Sequence, residues 1–290
     1  MRGLPDQARL RAVAYRMLGS VADAEDVVAE ARYRLLKANA APDNESAYLL
    51  RVVTNLALDR LRDRRRVQDA YAGPWLPEPL PTEFASDADA ADLMELAEEL
   101  SVGLLLMLER LSPAERVVFV LRQGFDYSFA EIAVLVDSTA DACRQRYRRA
   151  KAHLAGEPRY TTPAPEQQAL LDGLLMAVAQ RDTDALVAMF SQDSVVITDG
   201  GGVVSAAIRP ITGRQRIAQV ILHLTAKETA KGLQMVPVQL NGGAAILVHD
   251  NGAPHSCFQV EGTHGVVERL YIMRNPEKMR HLAALVPAAN

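Results

Sequence analysis

Residues 128–154 read SFAEIAVLVDSTADACRQRYRRAKAHL, and this stretch decides the reading of the chain. Ser128-Phe129-Ala130-Glu131 has the spacing of a capping box, in which the Ser hydroxyl takes an orphan helix amide and the Glu reaches back to the cap residue. The helix that follows places Ile132, Leu135 and Val136 on one side, and Asp137-Ser138 supplies a turn. Ser138 and Asp141 repeat the capping-box spacing and predict a second helix. In that helix Cys143, Tyr147, Ala150 and Leu154 fall three or four apart and predict an apolar stripe. The opposite face carries Thr139, Arg144, Gln145, Arg148 and Lys151, with Ser138 and Arg149 beside it. A basic amphipathic helix alone is an ordinary solvated surface. Two capping signals ten residues apart around a tight turn instead predict a helix-turn-helix, whose second helix enters the DNA major groove. Arg can there read guanine, Gln can read adenine, and the remaining cations neutralise phosphates.

Upstream, residues 5–70 read as helices, with Leu10, Val13, Ala14, Met17 and Leu18 at helical spacing before the break at Gly19-Ser20. Val27, Val28, Ala31, Leu35 and Leu36 follow at the same spacing. A third helix, from about Ser46 to Arg66, buries Leu49, Val53, Leu56 and Leu61 and leaves Asn55, Arg62 and the Arg64–Arg66 run elsewhere. Alone, that Arg run complements a helix dipole. Beside a helix-turn-helix it reads as a second nucleic-acid surface.

The net charge of −4 conceals this layout. Basic residues concentrate at Arg60–Arg66 and Arg144–Lys151, while Glu78, Glu83, Asp87, Asp89, Asp92, Glu95, Glu98 and Glu99 lie between them in a stretch without Lys or Arg. Within it, residues 71–90 form a linker, since Pro74, Pro77, Pro79 and Pro81 exclude helix and central strand. Trp75 and Leu76 are its apolar anchors. Residues 91–157 are helical again, with Ser112-Pro113 as a start signal. After the prolines at 158, 163 and 165, two helices lead into strand-like runs with turns at 200–202, 241–243 and 250–252, an α+β pattern with a curved antiparallel sheet.

At 290 residues the chain suits two or three domains. Neither a signal peptide nor an apolar run long enough to span a bilayer is evident, and Cys143 and Cys257 lie far apart, so a reducing cytoplasm is expected. No Cys/His spacing suggests a metal, and no cofactor motif is present.

On these residues the chain resembles the extracytoplasmic-function sigma factors. AYRMLGSVADAEDVVAEARYRLL (14–36) is similar to the part of the family's region 2 that docks on RNA polymerase, which implies polymerase contacts by Asp23, Glu25, Asp26 and Glu30. YLLRVVTNLALDRLRDRRR (48–66) is similar to the part that melts and reads the minus-10 element, implying DNA contacts by Asn44, Asn55, Arg60, Arg62, Arg64 and Arg65. Residues 108–154 resemble region 4, which reads the minus-35 element. A narrower resemblance, to the SigJ-type subgroup with a C-terminal SnoaL-like domain, rests on WLPEPL (75–80), DGGG (199–202) and Asn275-Pro276-Glu277-Lys278-Met279. It implies all-α sigma domains at 1–70 and 91–157 and an α+β cone at 164–284.

Some cone-fold relatives are enzymes, so Asp199, His223, His249, His255 and Glu268 are candidate acids and bases, but no spacing pairs a base with a nucleophile. The expectation is a non-catalytic transcription initiation factor with core RNA polymerase and promoter DNA as partners. Trp75, Leu76, Pro77, Glu78, Asp199, Gly200, Gly201, Gly202, Asn275, Pro276 and Lys278 are its interdomain regulatory residues, and the cone pocket could hold a small molecule. The alternative is a DNA-binding head fused to an enzyme or ligand sensor.

Overall fold

The computed structural model describes residues 7–38, 42–67, 71–82, 100–155, 162–229 and 231–286, with side chains described for all of these except 65–67, 228 and 229. The acidic residues Glu83 to Glu99 and the side chain of Arg65 lie outside the described part. Two compact units result: residues 7–67, 100 and 104–155 in the first, and 71–82, 101–103 and 162–286 in the second.

The first unit is all helical. Helices α1 (Gln7–Leu18), α2 (Val21–Lys37) and α3 (Glu45–Val67) pack mutually. Gly19, at φ +63°, breaks α1 from α2, and the Ser20 hydroxyl caps the latter by accepting from the Asp23 amide. Leu10, Val13, Met17, Val27, Ala31 and Val53 are buried as their spacing predicts. Leu36 is not: it lies in the last turn of α2 and is 85% exposed.

Helix α4 (Val102–Glu109), from Leu104 onward, and helices α5 (Pro113–Phe119), α6 (Phe129–Leu135) and α7 (Ala140–His153) complete the unit, and α5 continues into a π-helical turn at Val120–Gly124. Reciprocal capping boxes open α5, at Ser112 and Glu115, and α6, at Ser128 and Glu131. The second box expected at Ser138 and Asp141 is absent. Thr139 caps α7 by accepting from the Ala142 amide, while Ser138 accepts from Arg146 at 3.0 Å and Asp141 pairs with Arg144. Asp137, at φ +49°, turns the chain one residue further than the spacing implied, and the next hydroxyl takes the cap.

In the second unit α8 (Ala164–Gln180), α9 (Thr183–Met189) and α10 (Arg214–Thr229) pack on a six-stranded sheet in the order β2-β1-β6-β5-β4-β3. Its strands are β1 (Phe190–Asp199), β2 (Ile211–Thr212), β3 (Gln234–Leu240), β4 (Gly243–Asp250), β5 (Ala253–Thr263) and β6 (Val266–Met273). Strands β3 to β6 form the antiparallel meander that the turn residues predict, and β1 pairs antiparallel with β2. The departure from an antiparallel sheet is β1, which runs parallel to β6 after the α10 and meander excursion. Pro237 is tolerated because β3 is an edge strand. A 3-10 helix, Glu277–Leu285, closes the unit.

Candidate nucleic-acid interface and linker clasp

Helix α7 is held from behind. Cys143 and Ala150 are fully buried, and Tyr147 stacks on Phe119 with centroids 5.9 Å apart while meeting Phe129 edge-on at 5.6 Å. Its hydroxyl donates to Gln123 at 2.9 Å. The opposite face is open, with Thr139, Arg144, Gln145, Arg148, Arg149 and Lys151 exposed. Arg144 is braced by Asp141, and Arg149 Nε donates to Glu115 Oε1 at 3.1 Å. Gln145 and Arg148 make no hydrogen bond or ion pair to any described residue. The helix thus presents two uncommitted donors between two braced cations, the arrangement that base reading with phosphate anchoring requires.

The α3 residues are placed differently. Asn44 caps α3, accepting from the Ala47 amide at 3.0 Å. Arg60 Nη1 lies 2.5 Å from Asp23 Oδ1, and Arg64 Nη2 lies 2.9 Å from Asp23 Oδ2. Asp23, Arg60 and Arg64, which the resemblance assigns to two different partners, therefore form one partly exposed ion-pair cluster between α2 and α3. Arg62 is exposed beside Asp59. Glu25 and Asp26 are exposed and Glu30 half-buried, on the helix that also exposes Tyr33 and Leu36.

Asn55 Nδ2 donates to the Leu135 carbonyl at the end of α6, 3.3 Å away. Arg16 donates to the Gly124 carbonyl at 2.9 Å, with its guanidinium 4.8 Å from the Phe125 ring centroid. The two helical groups of this unit are thus joined by hydrogen bonds from α1 and α3.

In the second unit the linker is clasped. Asp199, fully buried at the end of β1, uses both carboxylate oxygens. Oδ1 accepts from Tyr71 Oη at 2.6 Å and the Gly201 amide at 2.9 Å. Oδ2 accepts from the Leu76 amide at 2.8 Å and Lys278 Nζ at 2.7 Å. Lys278 Nζ also donates to the Leu76 carbonyl at 2.6 Å and lies 4.2 Å from the Trp75 ring centroid. Asn275 Nδ2 donates to Tyr71 Oη at 3.1 Å. Gly201 and Gly202 have φ of +63° and +73°, and a Cβ at Gly201 would strike the Asn275 amide, so the turn needs glycine twice over. WLPEPL, DGGG and the Asn275–Met279 segment, far apart in sequence, meet at one buried ion pair. Leu76 and Pro77 are buried and Glu78 half-buried. Downstream, Leu80 and Asn241 exchange bonds of 3.1 and 2.7 Å, and His281 Nε2 contacts the Pro79 carbonyl.

Tyr71, Asn241 and Glu261 were missed from sequence. Tyr71 adjoins the WLPEPL motif, and Asn241 begins an Asn-Gly-Gly stretch whose sequence signals only a turn. Glu261, beside a bulge in β5, is buried, accepts from Tyr271 Oη at 2.7 Å and the Gly103 amide at 2.9 Å, and so holds Ser101–Gly103. Burial pushes its carboxyl up to about 7 against the opposing effects of Tyr271, Gly103, Arg269 and Ser101.

The acid/base candidates do not converge. Asp199 is saturated in the clasp, His223 is exposed, His249 is buried with Nδ1 lacking a partner among the described residues, His255 lies beside Ser256, and Glu268 takes the Thr263 hydroxyl. Among the described residues no group of three or more His, Cys, Asp or Glu could hold a metal, and no helix is long and apolar enough to cross a membrane.

Family models match the chain twice: Sigma-70 region 2 over residues 6–67 and Sigma-70 region 4 over residues 101–154. The chain is 35% identical over 221 residues to the ECF RNA polymerase sigma factor SigJ of Mycobacterium tuberculosis (strain ATCC 25618 / H37Rv), covering 75% of this chain and 70% of that one. It is 30% identical over 286 residues to the probable ECF RNA polymerase sigma factor SigI of Mycobacterium tuberculosis (strain CDC 1551 / Oshkosh), covering 96% and 93%. The crystal structure of Mycobacterium tuberculosis SigJ superposes with a TM-score of 0.75 at 30% identity, over 94% of this chain and 95% of that one, so the second unit has its counterpart there. With two sigma family models in order and a relative matched along nearly its whole length, the chain belongs to the extracytoplasmic-function RNA polymerase sigma factors, which direct promoter-specific transcription.

Proposed function

We propose that α7 reads the minus-35 element through Gln145 and Arg148, with Ser138, Thr139, Arg144, Arg149 and Lys151 as backbone contacts. The observation that carries this is the exposed, unpaired state of Gln145 and Arg148 between cations braced by Asp141 and Glu115. Asn44, Asn55, Arg60, Arg62, Arg64 and Arg65 serve the minus-10 element, with Asn55 and the exposed Arg62 foremost. Core polymerase docks on α2 through Glu25, Asp26 and Glu30 beside Tyr33 and Leu36, a surface whose exposed apolar side chains want a partner.

The first unit describes a resting arrangement. Elements 25 base pairs apart are separated by about 85 Å of B-form duplex at 3.4 Å per pair. A compact body of this size has a radius of gyration of about 14 Å. Asn55 must then leave the Leu135 carbonyl before both elements are engaged.

Four segments divide the work: 1–70 for polymerase and minus-10 contacts, 71–90 as linker, 91–157 for minus-35 contacts and 164–284 as a regulatory domain in place of a separate anti-sigma protein. The second unit acts by clasping WLPEPL at Asp199 and Lys278, works in the cytoplasm, and catalyses nothing. Scattered acid and base candidates argue against an enzyme, and an apolar cavity beside the sheet favours a small-molecule ligand. Run-off transcription with core polymerase tests the reading, since only a sigma factor restores specific initiation. Deleting residues 275–290 should change promoter-dependent transcript yield, and an unchanged yield would rule out regulation through the clasp.

A further inference from the structure

The helices of the second unit do not close over the sheet completely. Between α8, α10 and the sheet lies a recess open to solvent and lined by thirteen residues. Its walls include Leu171, Leu174 and Val178 of α8, Ile221 of α10, Met235 of β3 and Phe258 of β5.

Its chemistry is one-sided. Twelve of the thirteen lining side chains are hydrocarbon or thioether, and the lining exposes no polar atom. The exception, Thr225, turns its hydroxyl into its own helix, donating to the Ile221 carbonyl at 2.8 Å. None of the acid/base candidates belongs to the wall: Val248 lines it, but its neighbour His249 does not. An ionised guest would lose its hydration here with nothing in exchange, at a cost of several kcal/mol. Water is no better served, because an ordered water needs two to four polar partners. Yet the wall is not sealed: Val178 and Phe258 are only half-buried, and Met235 is 42% exposed. Covering such surface is the driving force for an apolar guest.

We infer that this cavity binds an uncharged, hydrocarbon-rich small molecule and performs no chemistry on it. The inference rests on the ligand-binding reading above and supplies the ligand class. Shape and apolar contact set its selectivity, because none of the described lining residues offers a donor, acceptor or charge to do so. An acidic or basic metabolite is excluded by the same wall. The ordinary polar anchors of a small-molecule site are missing, so affinity comes from surface removed from water.

A matched pair of fluorophores tests the inference on the full-length chain. N-phenyl-1-naphthylamine is neutral, and 1-anilinonaphthalene-8-sulfonate is the same skeleton with an anionic group. The neutral dye should bind saturably at one per chain, with the sulfonate at least tenfold weaker. Leu174→Trp, which fills the cavity, should reduce neutral-dye affinity at least tenfold. Because a buried Trp can disturb folding, Met235→Lys at the exposed wall is the second variant: it should keep the wild-type melting temperature, weaken the neutral dye and narrow the gap to the sulfonate. Absence of saturable neutral binding, equal affinity for the two dyes, or neutral binding indifferent to Met235→Lys would each overturn the inference. Transcription does not enter the titration, so its failure leaves the sigma-factor reading standing.

Discussion

The clasp around Asp199 and the basic face of α7 use the same charged chemistry in opposite ways. At the clasp every oxygen of Asp199 has a partner inside the unit, the side chain is fully buried, and Lys278 is 10% exposed. On α7 the cations lie in solvent, and the Arg144 and Arg149 side chains are 46% and 58% exposed. A buried, saturated ion pair is costly to break by removing one partner. An exposed face with Gln145 and Arg148 uncommitted stabilises nothing at home and is available for binding. Substitutions in the two places should therefore fail in different assays.

The largest effect is expected at Asp199. Asp199→Ala leaves Lys278 buried without its counter-ion, and should destabilise the second unit by about 3–5 kcal/mol in denaturant unfolding. Adding Lys278→Met should recover part of that loss, since an apolar pair of similar volume is tolerated where a lone charge is not. A double variant as unstable as the sum of the singles would show that the pair is not coupled.

Glu261 comes next. Its folded-state carboxyl titrates near 7 against an ordinary value of 4.5, so the protonated form is favoured by folding. Its contribution to stability is complete below about pH 4.5 and is lost as pH rises through about 7, on the order of 3 kcal/mol in all. Glu261→Gln should remove this slope, so the variant gains on wild type in thermal melts between pH 5 and pH 8. Parallel pH profiles would contradict the assignment.

A smaller loss, in a different assay, is expected on α7. Arg148→Ala should weaken minus-35 DNA binding by about 1–3 kcal/mol if Arg148 reads a base, without lowering the melting temperature. Equal loss on every DNA sequence would demote it to a phosphate contact. Smallest is Asp141→Ala: its pair with Arg144 is solvent-exposed, and stability should change by less than about 1 kcal/mol. A larger drop would mean that Asp141 does act as a cap.

The helix-turn-helix was legible because its signals are local. Capping boxes and a helical stripe act within a few residues, and Ser128, Glu131, Cys143 and Ala150 behave as their spacing implies. The error at Ser138 is one of register: two adjacent hydroxyls can cap, and the backbone at Asp137 chooses between them. Leu36 was misread because apolar periodicity records a face and not what covers it. The clasp motifs were found through family resemblance, but that they converge on one carboxylate was not legible, since residues 71 to 278 meet only through the fold. The same applies to the parallel pairing of β1 with β6 and to Glu261, whose burial depends on a bulge that no local pattern announces.

The most direct test of the account is promoter-specific run-off transcription with core polymerase, comparing the wild-type chain with Arg148→Ala and Lys278→Met. The account predicts a specific transcript with wild type, its loss with Arg148→Ala, and a several-fold change in yield with Lys278→Met at unchanged minus-35 binding. No specific transcript from the wild-type chain at any promoter, or the same yield from all three proteins, would contradict it.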